Sequence, residues 1–275
     1  DELPAGSVVV VGGGQSGAQI VEDLLAANRT IYFSISKVPR LPRSYRGRDF
    51  MDWWLDMGVW DIRLDDVEDP AELTIRNATV SGVGARGHSV SYQQLSRDGA
   101  RLMGRLDDVQ GRTLITDNRV MEYIGYADTK SQELKDRIDA YIDRGGLDAP
   151  EPDSDPADAP VPAGESIPWL TELVLDAADV GTVIWSTGFG ADFSWIKLPV
   201  TDGQGVPQHD NGVSTIDGIY FIGFPWLSKR KSSIIFGIDE DAQHITRTIV
   251  QRASSTEPVL ASQPTHNGKH ARPPS

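Results

Sequence analysis

Residues 7–36, SVVVVGGGQSGAQIVEDLLAANRTIYFSIS, constrain this chain more than any other stretch. Residues 7–11 are a continuous β-branched run, residues 17–27 have helical periodicity, and residues 30–36 are again β-rich. The pattern is a strand, a turn, a helix and a second strand. Gly12, Gly14 and Gly17 fall in the G-x-G-x-x-G spacing at the junction of the first strand and the helix. In that context each glycine has a physical role: Gly12 permits the tight turn, Gly14 lets a pyrophosphate approach the backbone, and Gly17 allows close helix-strand packing. Amides at the helix start then meet the phosphate charge, which brings Gly13, Gln15 and Ser16 into the expected site. The fold class that follows is α/β, with a Rossmann-like dinucleotide-binding domain.

The end of the second strand distinguishes the nucleotides. An NAD site carries an acidic residue about 20 residues beyond the glycines, where it binds the ribose hydroxyls. This chain reads FSISKVPRLPRSYRGRD instead, with no carboxylate before Asp49. Ser34, Ser36 and Lys37 occupy the strand end, and Arg40 and Arg43 follow closely. A hydroxyl and one or two cations bind a 2′-phosphate that a carboxylate would repel, so NADPH is expected over NADH. Charge-assisted hydrogen bonds contribute about 1.5–3 kcal/mol each, roughly tenfold or more in affinity. For Arg43, Arg46 and Arg48 a solvated basic loop is an equally good reading.

Composition narrows the class. The net charge of −14 leaves no basic face for nucleic acid apart from residues 37–48. No apolar run approaches the roughly 18–20 residues that span a bilayer, and residues 1–20 show no basic-then-apolar leader, so the expected location is cytoplasmic. With no cysteine, redox chemistry has to come from a cofactor. Of the five histidines only His266 and His270 have ligand-like spacing, with no third ligand nearby, so no metal site is expected. The tryptophans Trp53, Trp54, Trp60, Trp169, Trp185, Trp195 and Trp226 read as core or interface residues before they read as a substrate channel.

Further along, residues 49–58 suggest a short amphipathic helix and residues 130–144 a periodic helix stopped by Gly145 and Gly146. Residues 147–165 are rich in Pro, Asp and Ala and predict a solvated, mobile excursion. Apolar strands are expected at residues 182–186 and 218–223, and a helix at residues 239–251. The expected division is residues 1–176 as the NADPH-binding domain, residues 177–252 as a second part, and residues 253–275 as a disordered tail.

The blocks VVVVGGGQSGAQIVEDLL, RLPRSYRGRDFMDWWLDMG, LSRDGARLMGRLDDVQG, VIWSTGFGADFSW and GIYFIGFPWLSKRKSSIIFGIDEDA resemble a bacterial flavoprotein branch of the flavin-containing monooxygenases. The first block is similar to that family's second, NADPH-binding glycine motif, and the resemblance covers roughly residues 3–252. It implies an NADPH domain inserted into an FAD domain. Thr187, Gly188 and Phe189 match the Thr-Gly motif that marks the return to the FAD domain, and Gly223 ends what would be its last strand. Phe224 stands where many relatives carry an aspartate, which puts a carboxylate contact to the flavin in doubt. Relatives also carry an FAD-binding glycine motif upstream, which these 275 residues do not contain. The expectation is that residues 177–252 are the C-terminal part of an incomplete FAD-binding domain, completed by a missing N-terminal segment or a second chain, and that the isolated chain is inactive.

The implied activity is an NADPH- and FAD-dependent monooxygenase in which hydride passes from NADPH to FAD before a small organic substrate is oxygenated. Such chemistry belongs to the cofactor, and no catalytic acid, base or nucleophile stands out among these residues. The alternatives are a non-oxygenating NADPH-flavin oxidoreductase and a non-catalytic NADP(H)-binding module.

Overall fold

A computed structural model describes residues 2–67, 78–84, 87–161 and 167–255. It divides the chain into two compact units, Asp1–Asp192 and Phe193–Ser275. No helix among the described residues is long and apolar enough to cross a membrane.

The first unit opens with β1 (Ser7–Val11), α1 (Gln15–Ala26) and β2 (Ile31–Ser34), as the pattern predicts. A small hairpin of β3 (Ser44–Tyr45) and β4 (Arg48–Asp49) leads into α2 (Phe50–Asp56), whose N-cap Asp49 accepts from the Met51 amide at 2.9 Å. Then come α3 (Tyr92–Arg97), β5 (Arg101–Met103), β6 (Leu106–Gln110), β7 (Thr113–Thr116) and α4 (Val120–Gly145). The unit's last strands are β8 (Trp169–Leu170), β9 (Glu172–Val174) and β10 (Val180–Trp185). Five strands form a parallel sheet in the order β10-β1-β2-β5-β8, while β6, β7 and β9 form an antiparallel sheet.

The valine run explains why β1 sits inside the parallel sheet. Val8 and Val10 pack with Ala18 and Val21 of α1, Leu95 of α3, and Val120, Tyr123, Ile124 and Ala127 of α4. Val9 and Val11 point the other way, against Met103, Leu114 and Leu173, so both faces of the strand are covered. Burying each such side chain stabilises the fold by about 1.5–3 kcal/mol. The same apolar stripe carries α4 back to Val120, ten residues before the periodic segment recognised in the sequence, and Gly146 ends it in a left-handed turn at φ 58°. Trp53 and Trp60 are buried, whereas Trp185 and Trp195 are exposed.

Three expectations change. The acidic excursion is docked over its described part, to residue 161. Ala157 is buried, and Asp158 accepts from Arg40 at 3.1 Å and from the Lys135 ammonium, so local composition is overridden by ion pairing with buried cations. The division of the chain falls after Asp192 and not at residue 176, because β10 lies in register with β1, Val8 opposite Thr182 and Val11 opposite Trp185.

In the second unit, β11 (His209–Asp210) pairs with β12 (Val213–Ser214), and α5 (Ile238–Ser255) follows. Here the third change appears, because residues 218–223 do not form the expected strand. Tyr220 makes one isolated bridge to Val213, and the Phe221 amide bonds the Gly212 carbonyl at 2.7 Å, since the short hairpin offers only a two-residue edge. Val200, Phe221 and Leu227 form this unit's core, with Phe224 packed against it. The tail beyond residue 255 and the histidines His266 and His270 lie outside the described residues.

Candidate functional site

The glycine loop lies at the C-terminal edge of the parallel sheet, the edge at which α/β folds bind ligands. From Val11 the chain turns through Gly12, Gly13 and Gly14 into α1. Gly12 has φ 118°, and a Cβ there would stand 2.5 Å from the Ser186 carbonyl oxygen. A Cβ on Gly17 would stand 1.9 Å from the Gly12 carbonyl oxygen, so the first turn of α1 packs directly on the end of β1. Gly14 is the N-cap of α1, and no side chain caps the helix. The first-turn amides are left to a ligand or solvent, in the positive field of the peptide dipoles.

Gln15 and Ser16 behave differently from each other. Ser16 is exposed on the first turn. The Gln15 side chain is occupied: its carbonyl oxygen accepts from the amides of Val80 at 2.7 Å and Ser81 at 3.1 Å, and its amide donates to the Ser81 carbonyl. Gln19 donates to the same carbonyl at 3.0 Å, and Glu22 accepts from the Val83 amide at 2.9 Å. One polar stripe of α1 therefore holds residues 80–83 beside the glycine loop.

On the far side of β1, Ser34 ends β2 with its hydroxyl buried and donating to the Gly104 carbonyl at 2.8 Å. Ser36 is half-buried and Lys37 exposed. The Lys37 ammonium lies 4.7 Å from the Tyr126 ring centroid, and among the described residues no carboxylate pairs with it. The arginines stand elsewhere. Arg40 is 3% exposed and bonds Asp128 at 2.7 Å and Asp158 at 3.1 Å, while Arg43 pairs with Asp49 at 2.6 Å. Arg46 and Arg48 pair with Asp139 and Asp56. The four arginines are paired with acidic neighbours, distant in sequence for Arg40 and Arg46 and local for Arg43 and Arg48, and the binding candidates contract to Ser36 and Lys37.

Past β10, the Ser186 hydroxyl lies 2.9 Å from the Val11 carbonyl and 3.1 Å from that of Gly12. Thr187, Gly188 and Phe189 continue outward from it and are exposed, with Gly188 at φ 88°. Gly223, at φ 82°, belongs to the second unit. The first unit thus brings Gly12, Gly13, Gly14, Ser16, Gly17, Ser36, Lys37 and Thr187 to one edge of one sheet.

Tyr92, Thr79 and Ser186 also belong to this edge, although no motif or periodicity marked them. The Tyr92 hydroxyl donates to the Gly13 carbonyl at 2.8 Å, and burial pushes its phenol well above the usual range, so it remains a protonated donor. Asp117 follows β7, close to Gly104. Burial raises its pKa, but hydrogen bonds from Tyr123, Arg119 and the Arg105 amide outweigh that and hold it below the usual carboxylate range.

No family model matches the chain. It is 26% identical over 251 residues to a protein of Geobacillus kaustophilus named uncharacterized oxidoreductase CzcO-like, covering 90% of this chain and 54% of that protein. Proteins named uncharacterized oxidoreductase CzcO match over 250 residues in Bacillus velezensis, at 25% identity, and in Bacillus subtilis, at 26%, each covering 90% of this chain and 53% of the relative. The chain spans about half the length of the curated relatives it matches. Among solved structures, a mutant flavin monooxygenase from Stenotrophomonas maltophilia overlaps with a TM-score of 0.43 at 15% identity, covering 90% of this chain and 51% of that one. Along nine tenths of its length the chain is similar to bacterial proteins named oxidoreductase CzcO and CzcO-like.

Proposed function

We propose that this chain is the NADPH-binding part of a flavin-dependent oxidoreductase of the monooxygenase type, working in the cytoplasm on a small organic substrate. The observation that carries the reading is the uncapped start of α1 behind a glycine turn, with Lys37, past the end of the adjacent strand, paired with no carboxylate among the described residues. These residues fit a dinucleotide with a 2′-phosphate. The glycine loop and first-turn amides would receive the pyrophosphate, and Ser36 and Lys37 the 2′-phosphate. NADPH, when bound, supplies a hydride to FAD, and reduced flavin supplies the electrons for oxygenation.

The residues here bind and orient the nucleotide. Gly12 and Gly17 keep the loop packed against Ser186 and the end of β1, where a Cβ on either would collide. The family resemblance assigns Thr187, Gly188 and Phe189 to the flavin. FAD also needs a glycine motif for its own pyrophosphate. We assign that motif to polypeptide outside these 275 residues, which agrees with relatives about twice as long.

Titration of NADPH and NADH against intrinsic tryptophan fluorescence tests the reading. NADPH should bind about tenfold more tightly than NADH, and Lys37→Ala should remove most of that difference. Equal affinities in the wild-type protein would remove the NADP assignment. Oxygen uptake with NADPH and FAD, measured with and without the upstream half of a longer relative, tests the oxygenase part.

A further inference from the structure

We propose that three hydroxyls, those of Tyr92, Thr79 and Ser186, are positioning residues that lock the glycine loop with its amides aimed outward at a pyrophosphate. The inference rests on the dinucleotide reading and deepens it. The Gly13 carbonyl accepts from the Tyr92 hydroxyl at 2.8 Å and from the Thr79 hydroxyl at 3.3 Å. The preceding carbonyl, of Gly12, lies 3.1 Å from the Ser186 hydroxyl, whose one proton it shares with the Val11 carbonyl at 2.9 Å. Two successive peptide planes are therefore held from the protein side.

Their geometry sets what the other side presents. A trans peptide carries its C=O and N–H in opposite directions. Holding the Gly13 carbonyl toward Tyr92 and Thr79 turns the Gly14 amide away from them, and holding the Gly12 carbonyl toward Ser186 does the same for the Gly13 amide. Neither amide donates a hydrogen bond among the described residues, although Gly13 is buried. A backbone amide without a protein acceptor is open to an anionic ligand, as in the nests of main-chain donors that bind anions. A loop rich in glycine would otherwise sample many orientations, so fixing it beforehand lowers the entropy lost on binding.

Each hydroxyl is itself held. Tyr92 is buried against Phe33, with ring centroids 5.9 Å apart, and its hydroxyl also lies 3.4 Å from the Ser36 carbonyl, between the pyrophosphate loop and the 2′-phosphate loop. A Cβ on Gly13 would stand 2.4 Å from that hydroxyl, so the residue's lack of a side chain makes room for the lock. Thr79 is buried, its amide bonds the Pro39 carbonyl at 2.9 Å, and Gln15 grips the two residues after it. Ser186 is fixed by β10, whose register with β1 brings the Ser186 amide 2.8 Å from the Val11 carbonyl.

The test uses the isosteric variants Tyr92→Phe and Thr79→Val in the full chain, titrated with NADPH, NADH, ADP-ribose and adenosine 2′-monophosphate. Loss of one neutral hydrogen bond to the loop should weaken the three pyrophosphate ligands alike, by about three- to tenfold, and the double variant should lose more. Adenosine 2′-monophosphate, which lacks the pyrophosphate, should keep its wild-type affinity in Thr79→Val, whose lost hydroxyl does not touch Ser36 or Lys37, a pattern that general loss of structure would not produce. Circular dichroism establishes that each variant folds. If Tyr92→Phe does not, Thr79→Val and Ser186→Ala carry the test. Folded variants that bind all four ligands as the wild type does, or a folded Thr79→Val protein that loses adenosine 2′-monophosphate equally, overturn the lock while leaving the dinucleotide reading intact. A wild-type chain that binds none of the dinucleotides overturns both.

Discussion

Arg40 and Lys37 lie three residues apart on the same basic stretch, and the proposed function gives them opposite roles that one pair of variants separates. Arg40 is 3% exposed, and its terminal nitrogens contact Asp128 at 2.7 Å and Asp158 at 3.1 Å, while the Lys135 ammonium shares Asp158. Removing one partner of a buried ion pair costs about 3–5 kcal/mol, because the other charge is left without compensation. Asp128 and Asp158 retain 39% and 30% of their side-chain exposure, so water recovers part of that loss and about 2–3 kcal/mol remains. With a urea slope near 2–3 kcal/mol/M, Arg40→Ala should lower the unfolding midpoint by about 1 M. Its ratio of NADPH to NADH affinity, measured well below that midpoint, should match the wild type. Lys37→Ala touches an exposed side chain and should move stability by less than about 0.5 kcal/mol while removing most of the NADPH preference. An Arg40→Ala protein with an unchanged midpoint and a selective loss of NADPH affinity would refute the assignment and return Arg40 to the phosphate.

Three further outcomes follow from local geometry. Gly17→Ala should abolish dinucleotide binding, seen by fluorescence titration, because the new methyl would stand 1.9 Å from the Gly12 carbonyl oxygen and displace the helix start from the strand. Ala157→Arg should release residues 147–161, since Ala157 is 1% exposed, and limited proteolysis should then cut there first. In the second unit, burial lowers the His209 pKa, against a smaller raising effect from Asp210. The unfolded chain therefore takes up the proton first, so this stability is complete above the ordinary value of 6.5 and declines as pH falls from there toward the folded value. Urea midpoints of the wild type should fall over that window, and those of His209→Phe should fall less.

Much of the first unit was legible in the sequence because its signals are local. A run of β-branched residues, a glycine spacing and a helical stripe within residues 7–36 determine a strand, a turn, a helix and a strand wherever that segment is placed. The absence of a carboxylate at the end of β2 was equally readable, as were the left-handed stop at Gly146 and the buried valines. The start of α4 was missed by ten residues because Val120, Tyr123, Ile124 and Ala127 are an apolar stripe only once a sheet lies beneath them. Residues 218–223 have strand composition but meet only a two-residue hairpin edge among the described residues, and composition cannot supply a partner.

What only the tertiary structure decided is which charges remain available. In the sequence, Lys37, Arg40, Arg43, Arg46 and Arg48 form one basic stretch whose members cannot be sorted into phosphate ligands and solvated loop. Their carboxylate partners include Asp128, Asp139 and Asp158, about ninety or more residues away in the chain, and no local pattern announces such pairings. An ion pair depends on a distance of a few ångströms, which the fold sets and residue spacing does not. The same is true of Tyr92, Thr79 and Ser186, three ordinary residues that reach two glycine carbonyls because β10, α3 and residues 79–83 converge on the end of β1. The sequence by itself determined that a glycine loop joins a buried strand to a helix; the packing around it determined which side chains hold that loop and which cation has no carboxylate partner among the described residues.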